Sequence, residues 1–219
     1  MVGGKRTIPD SVLTAIGEAS GAPVTHVAGA NRYDLAAKIS DGWTAGEVDT
    51  VYLASGTTFA DALAVGHLAG IENSPVLLTA EGSLSSETAA ALDRLDPARI
   101  VILGGPDRIS DTVFAQASAY ADTSRLFGVD RYDTAAKIVL QIPGSDEVLL
   151  ASGQVFPDAL AGGVYAGVNA PLLLTKADSL NDFAASALQG REPSVVTLIG
   201  GEMMLFDQVR LDVIALFDN

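Results

Sequence analysis

Two short stretches hold most of the side chains in this chain that could do chemistry, and each occurs twice. The first is Asn31-Arg32-Tyr33-Asp34, which returns as Asp130-Arg131-Tyr132-Asp133. The second sets Asp61 shortly after Ser55-Gly56, and Asp158 at the same distance after Ser152-Gly153. Arginine in the first turn of a helix opposes the positive end of the helix dipole, so its guanidinium needs compensation. One source is an ion pair with Asp61 or Asp158, or with an acid on a neighbouring unit. The other is a ligand carboxylate or phosphate, which the planar guanidinium can hold through two parallel hydrogen bonds. Tyr33 and Tyr132 suit the face of a sugar ring or a packed interface with the hydroxyl paired. Asp34 with Asp61, and Asp133 with Asp158, offer the oxygen ligands that calcium or magnesium prefers. The simpler role for first-turn carboxylates is to meet the helix dipole.

Catalytic arrangements find little support. Ser55 and Ser152 do not sit in a G-x-S-x-G elbow, and His26 and His67 are the only imidazoles. His67 is matched by Val164 in the second copy, so no duplicated Ser–His pair exists. No G-x-x-x-x-G-K-[ST] or G-x-G-x-x-G loop is present, and the two histidines lack zinc-site spacing. With no cysteine, disulfides, Cys-ligated zinc and thiol catalysis are excluded. No catalytic residue, metal site or cofactor is assigned.

The 219 residues carry a formal charge of -14, with 48% hydrophobic and 18% charged residues. That composition supports a sizeable core and argues against nucleic acid as a partner, because phosphate neutralisation needs a basic footprint. No apolar run reaches the roughly 20 residues of a membrane span, so no membrane insertion is expected. Met1–Arg6 lacks the apolar core of a signal peptide.

The elements that must position these residues are written as an internal repeat. Val51–Gly70 returns as residues 148–167, with thirteen of twenty positions identical. Asn31 and Asp130 stand where helix N-caps belong, and short apolar strands run over Val51–Ser55 and Val148–Ser152. Pro157 fits only the first turn of a helix, so it starts the second helix near Phe156, and by alignment near Phe59. That helix is apolar almost all round, which predicts burial between its own sheet and another unit. Pro75–Thr79 and Pro171–Thr175 read as buried parallel strands. Helices follow over Ser86–Leu95 and Asn181–Leu188, then strands over Ile100–Leu103 and Val195–Ile199. Gly56, Gly104, Gly105, Gly153, Gly200 and Gly201 mark turns at strand ends, where ligands of open parallel sheets collect. A further short strand over Ser124–Phe127 would open the second copy. The alternation implies parallel sheets with helices on both faces. A third closing phrase at Val2-Gly3-Gly4 makes residues 1–25 read as the tail of a preceding repeat, followed by repeat A (26–122) and repeat B (123–219). The sequence thus reads as part of a longer tandem array.

Four phrases in fixed order, twice over, resemble the cell wall-binding repeat 2 family: Gly-x-x-Arg-Tyr-Asp-x-Ala-Ala-Lys-Ile, Leu-Ala-Ser-Gly-x-x-Phe-x-Asp-Ala-Leu-Ala, Pro-x-Leu-Leu-Thr and Gly-Gly. The resemblance implies an α/β chain of tandem Toprim- or flavodoxin-like modules, three of which pack about a pseudo-threefold axis. It implies a non-catalytic role, holding a passenger domain outside the cell, at the wall or surface, through anionic or neutral wall polysaccharide. It also ties the phrases Pro75-Val76-Leu77-Leu78 and Pro171-Leu172-Leu173-Leu174 to anchoring. Two rivals stand beside it: a metal-dependent hydrolase or phosphoryl-transfer enzyme on a Toprim-like scaffold, and a self-assembling surface-layer unit. The glycan-contact candidates are Arg32, Tyr33, Asp61, Arg131, Tyr132 and Asp158.

Overall fold

A computed structural model describes residues 1–144, 146–166 and 170–218. Helix α1 (Asp10–Ser20) precedes repeat A, which runs α2 (Arg32–Ile39), β1 (Thr50–Ser55), α3 (Ala60–Ile71), β2 (Val76–Thr79), α4 (Ser86–Leu95), β3 (Arg99–Leu103), α5 (Asp111–Ala117). Then come β4 (Asp122–Leu126), α6 (Arg131–Val139), β5 (Glu147–Ser152), α7 (Phe156–Ala166), β6 (Leu172–Thr175), α8 (Asp182–Arg191), β7 (Val195–Ile199) and α9 (Asp207–Phe217).

Local chemistry sets the helix starts. The Asn31 side chain accepts from the N–H groups of Tyr33 and Asp34 at 2.8 and 2.9 Å, and Asp130 does the same for Tyr132 and Asp133. Asp34 reaches back to the Ala30 N–H at 2.6 Å, and Asp133 to that of Val129 at 2.8 Å. Each turn is thereby clasped from both sides. Asp34 and Asp133 also pair with Lys38 and Lys137 one turn on.

The strands form two parallel sheets, in the orders β2-β1-β3-β4 and β6-β5-β7. The strand expected to open the second copy instead extends the first sheet: β4 pairs with β3, with Leu126 opposite Leu103. After α5 the chain returns beside the free edge of β3, and pairing there satisfies backbone groups that would otherwise lack partners. Val2 and Val27 make an isolated parallel bridge at the corresponding positions of the N-terminal tail.

Alternation along the strands divides the core. Val51, Leu53, Ile100 and Ile102 face α4 and α5, while Tyr52, Ala54 and Leu103 share a cluster with α3. That second cluster does not stop at the repeat boundary. It joins Ala60, Ala64, Val65 and Leu68 of α3 to Ala135 and Ile138 of α6, Ala159 of α7, and Leu172 and Leu174 of β6. Helix α3 is therefore packed between its own sheet and repeat B, as its all-round apolar sequence predicts. The alanines let the backbones approach closely. Leu77, Leu172, Leu173 and Leu174 are buried, Val76 and Leu78 half-buried, and the carbonyls of Pro75 and Pro171 accept from Tyr52 and Leu149. The Pro-x-Leu-Leu phrases are thus core strands.

Gly56 and Gly153 are demanded by the close approach of a tyrosine ring. A Cβ on Gly56 would stand 2.5 Å from the Tyr33 ring, and one on Gly153 2.6 Å from that of Tyr132. Gly153→Ala should lower stability by about 1–3 kcal/mol through overpacking, read as a lower urea midpoint. Adding Tyr132→Ala should recover part of that loss if the ring is the obstacle.

Candidate functional site

The carboxyl ends of β1 and β3, the first turn of α3 and the start of α6 enclose a groove of about 680 Å³ between the repeats. Repeat A supplies Thr58, Asp61, Gly104, Gly105, Asp107 and Arg108; the segment leading into α6 supplies Phe127, Val129, Asp130 and Arg131. Asp61 enters the groove from the first turn of α3, beside Gly104, where an added Cβ would meet its Oδ2 at 3.5 Å. Gly104 has φ +120°, a conformation that side-chain-bearing residues rarely adopt.

Burial pushes the Asp61 carboxyl above the ordinary carboxylate range, and the charges of Arg131 and Arg108 pull it only partly back. Its ionised form is therefore disfavoured in the folded state. At acid pH, where both states are protonated, it costs nothing; stability is lost as pH rises through the raised value. Asp61→Asn should accordingly raise Tm at neutral pH, and the gain should vanish toward about pH 3. An unchanged difference across that range, measured by thermal unfolding, would count against the assignment.

The repeated arginines, Arg32 and Arg131, behave differently from the ion pairs considered on sequence grounds. Nη1 of Arg32 donates to the carbonyl of Gly56, and Nη1 of Arg131 to that of Gly153 at 2.6 Å. The strand-end carbonyls lie within reach of the helix start in the same repeat, and they supply the negative partial charge that each guanidinium needs. Arg131 also places its guanidinium carbon 5.9 Å from the Phe59 ring centroid, a cation–π contact between repeats. It influences Asp61 electrostatically but closes no ion pair with it among the described residues.

Asp158 occupies the matching place in repeat B, with Oδ2 3.1 Å from the position of a Cβ on Gly200, which has φ +139°. It lines a separate, more apolar hollow of about 420 Å³ with Phe59, Pro157 and Met204. Tyr33 and Tyr132 are half-buried with their rings against Gly56 and Gly153, outside the lining of the larger groove. Asp34 and Asp133 are held in their own turns and do not join Asp61 or Asp158 around a cation position. Ser55 is buried and paired with Thr57 at 2.9 Å. Among the described residues, no three His, Asp or Glu side chains are grouped to hold a metal ion, and no helix is long and apolar enough to cross a membrane.

Sequence reasoning passed over Arg108, Phe127 and Asp107. For Asp107 and Arg108 the available signal was their position directly after the paired glycines, where the two copies stop matching; Phe127 reaches Gly105 only through the fold.

A model of cell wall binding domain 2 (CWB2) matches residues 26–114 and 125–210. The chain belongs to the CWB2 family. This CWB2 chain is 34% identical over 184 residues to an amidase enhancer of Bacillus subtilis (strain 168), covering 83% of the chain and 25% of that protein. It is 30% identical over 192 residues to the N-acetylmuramoyl-L-alanine amidase LytC of the same strain, covering 87% of the chain and 38% of LytC. The chain thus spans well under half the length of either relative. Among solved structures, Cwp6 from Clostridium difficile superposes with a TM-score of 0.81 at 26% identity, over 89% of the chain and 32% of Cwp6. Cwp8 from the same organism, at 18% identity, shares the fold with a TM-score of 0.82 over 98% of the chain and 36% of Cwp8.

Proposed function

We propose that this CWB2 chain is a non-catalytic anchor that holds a surface or secreted protein to the cell wall by binding wall polysaccharide. The observation that carries this is the groove between the repeats, where Asp61, Arg108 and Arg131 meet without pairing off. Carboxylate acceptors and guanidinium donors side by side suit the hydroxyl and anionic groups of a glycan. Within this reading Asp61 and Arg131 contact the polymer, and Asp158 does so where a further unit closes its hollow. Arg32, Tyr33 and Tyr132 hold the rims, and the buried Pro-x-Leu-Leu strands support anchoring by keeping the sheets intact. The strand order β2-β1-β3-β4 supports describing repeat A as flavodoxin-like, and β6-β5-β7 follows the same order over three strands.

Neighbouring repeats are the expected protein partners. Ile138 is fully buried between the repeats, whereas its counterpart Ile39 is 42% exposed. Leu160 and Tyr165 of α7 are 51% and 67% exposed, while Leu68, the counterpart of Tyr165 on α3, is buried. The surfaces that join A to B are thus repeated, uncovered, at both ends.

Sedimentation with purified walls tests the function. The chain should pellet with walls and be released by soluble wall polysaccharide. A chain that stays in the supernatant with every wall fraction would overturn the proposal.

A further inference from the structure

The framework of the groove is the same in both copies, but the loop beside it is not. Asp61 and Asp158, Arg32 and Arg131, and the paired glycines all recur. The next three residues differ each time: Pro106-Asp107-Arg108 in repeat A, Glu202-Met203-Met204 in repeat B, and Lys5-Arg6-Thr7 in the leading tail.

The recurring groups are already engaged by the fold. Arg131 is held on the Gly153 carbonyl, Asp130 caps α6, and Asp61 is packed beside Gly104. Arg108 differs. It is exposed and makes no side-chain hydrogen bond or ion pair among the described residues, yet it lines the groove and acts electrostatically on Asp61.

Its backbone is nonetheless fixed. The N–H groups of Arg108 and Ile109 both donate to the Gly105 carbonyl, at 2.9 and 3.0 Å, and Ile109 is fully buried. Arg125 holds the Gly104 carbonyl from the other side at 3.2 Å. A guanidinium without a protein partner among the described residues, carried on a fixed backbone at the groove, is available to grip a ligand oxygen.

We propose that Arg108 is the specificity-determining residue of the groove between the repeats, selecting an anionic group of the wall polymer, a phosphate or a carboxylate. The proposal rests on the wall-binding function above. At a net charge of -14 the protein repels an anionic polymer at distances up to about the 8 Å Debye length of physiological salt. Selection must therefore come from a short-range contact, and a charge-assisted guanidinium bond is one. Met204 stands at the matching place in repeat B, so that hollow lacks this group.

The test is wall sedimentation with wild type, Arg108→Met and Arg108→Lys, each at rising salt, with Tm recorded alongside. Arg108→Met should weaken binding by about tenfold or more, lower Tm only slightly through its lost pull on Asp61, and flatten the salt dependence. Arg108→Lys should fall between, because lysine keeps the charge without the planar fork. Walls stripped of phosphate polymers and walls with capped carboxyls separate the two sources. Whichever treatment abolishes the difference between wild type and Arg108→Met identifies the group. If wild type sediments but Arg108→Met binds equally well with the same salt dependence, the inference is overturned while wall binding stands. A difference that survives both treatments also overturns it. Wild type failing to sediment at all removes the wall-binding function itself.

Discussion

Ile138→Ala should cost about 2–5 kcal/mol of stability, whereas Ile39→Ala should fall within about 0.5 kcal/mol of wild type, as surface substitutions do. The two isoleucines close the same phrase, Arg-Tyr-Asp-x-Ala-Ala-Lys-Ile, at matching positions of the two copies. Their surroundings are opposite. Ile138 is fully buried in the cluster that includes Ala64, Val65 and Leu68 of α3, and Ile39 is largely open. Truncating Ile138 removes buried methylenes and leaves a cavity in a seam built from two repeats. The comparison therefore isolates the worth of the seam, since propensity and local sequence are nearly the same at both sites. Urea unfolding checks it through the two midpoints. Because one cluster spans both repeats, wild type should also unfold in a single transition; two well-separated transitions would contradict a shared core.

Arg125→Ala is expected to cost about 2–4 kcal/mol, from the loss of three hydrogen bonds and the packing of the side-chain stem. Arg125 lies on β4, its side chain only 11% exposed. It donates to the carbonyls of Gly104 and Ser110 at 3.2 and 3.1 Å and to Asp111 at 3.0 Å, and it lies 5.3 Å from the Phe114 ring centroid. One guanidinium thereby ties the strand that enters repeat B to the loop and helix that close repeat A. Without it α5 should fray, seen as faster amide exchange over Asp111–Ala117. The matching residue in the leading part of the chain is His26, whose Nδ1 donates to the Gly3 carbonyl at 2.8 Å while Nε2 lies 3.5 Å from Asp10. It performs a smaller version of the same task, so His26→Ala should cost only about 0.5–1.5 kcal/mol. Equal losses at the two positions would show that Arg125 does no more than an imidazole does.

Much of the fold was legible because it depends on residues close together in the chain. Asn31 and Asp130 could be assigned as caps since the N–H groups they accept lie two and three residues ahead. Pro157 marked the start of α7, and the apolar circumference of α3 announced burial on more than one side. Family membership followed from four phrases repeated in order. The arginine partners were less legible. Sequence pointed to carboxylates, and the structure supplied strand-end carbonyls, because those oxygens come from turns more than twenty residues away.

What the sequence determined by itself was thus the repeat, the α/β alternation and the family, since periodicity, capping and turn chemistry act within a few residues. Only the tertiary structure decided that β4 extends the sheet of repeat A, that Ile138 is buried while Ile39 is open, and that Arg108 and Arg131 approach the same Asp61. Identical phrases cannot reveal which copy is covered. That depends on which surface another unit lies against, and such contacts join residues far apart in the chain.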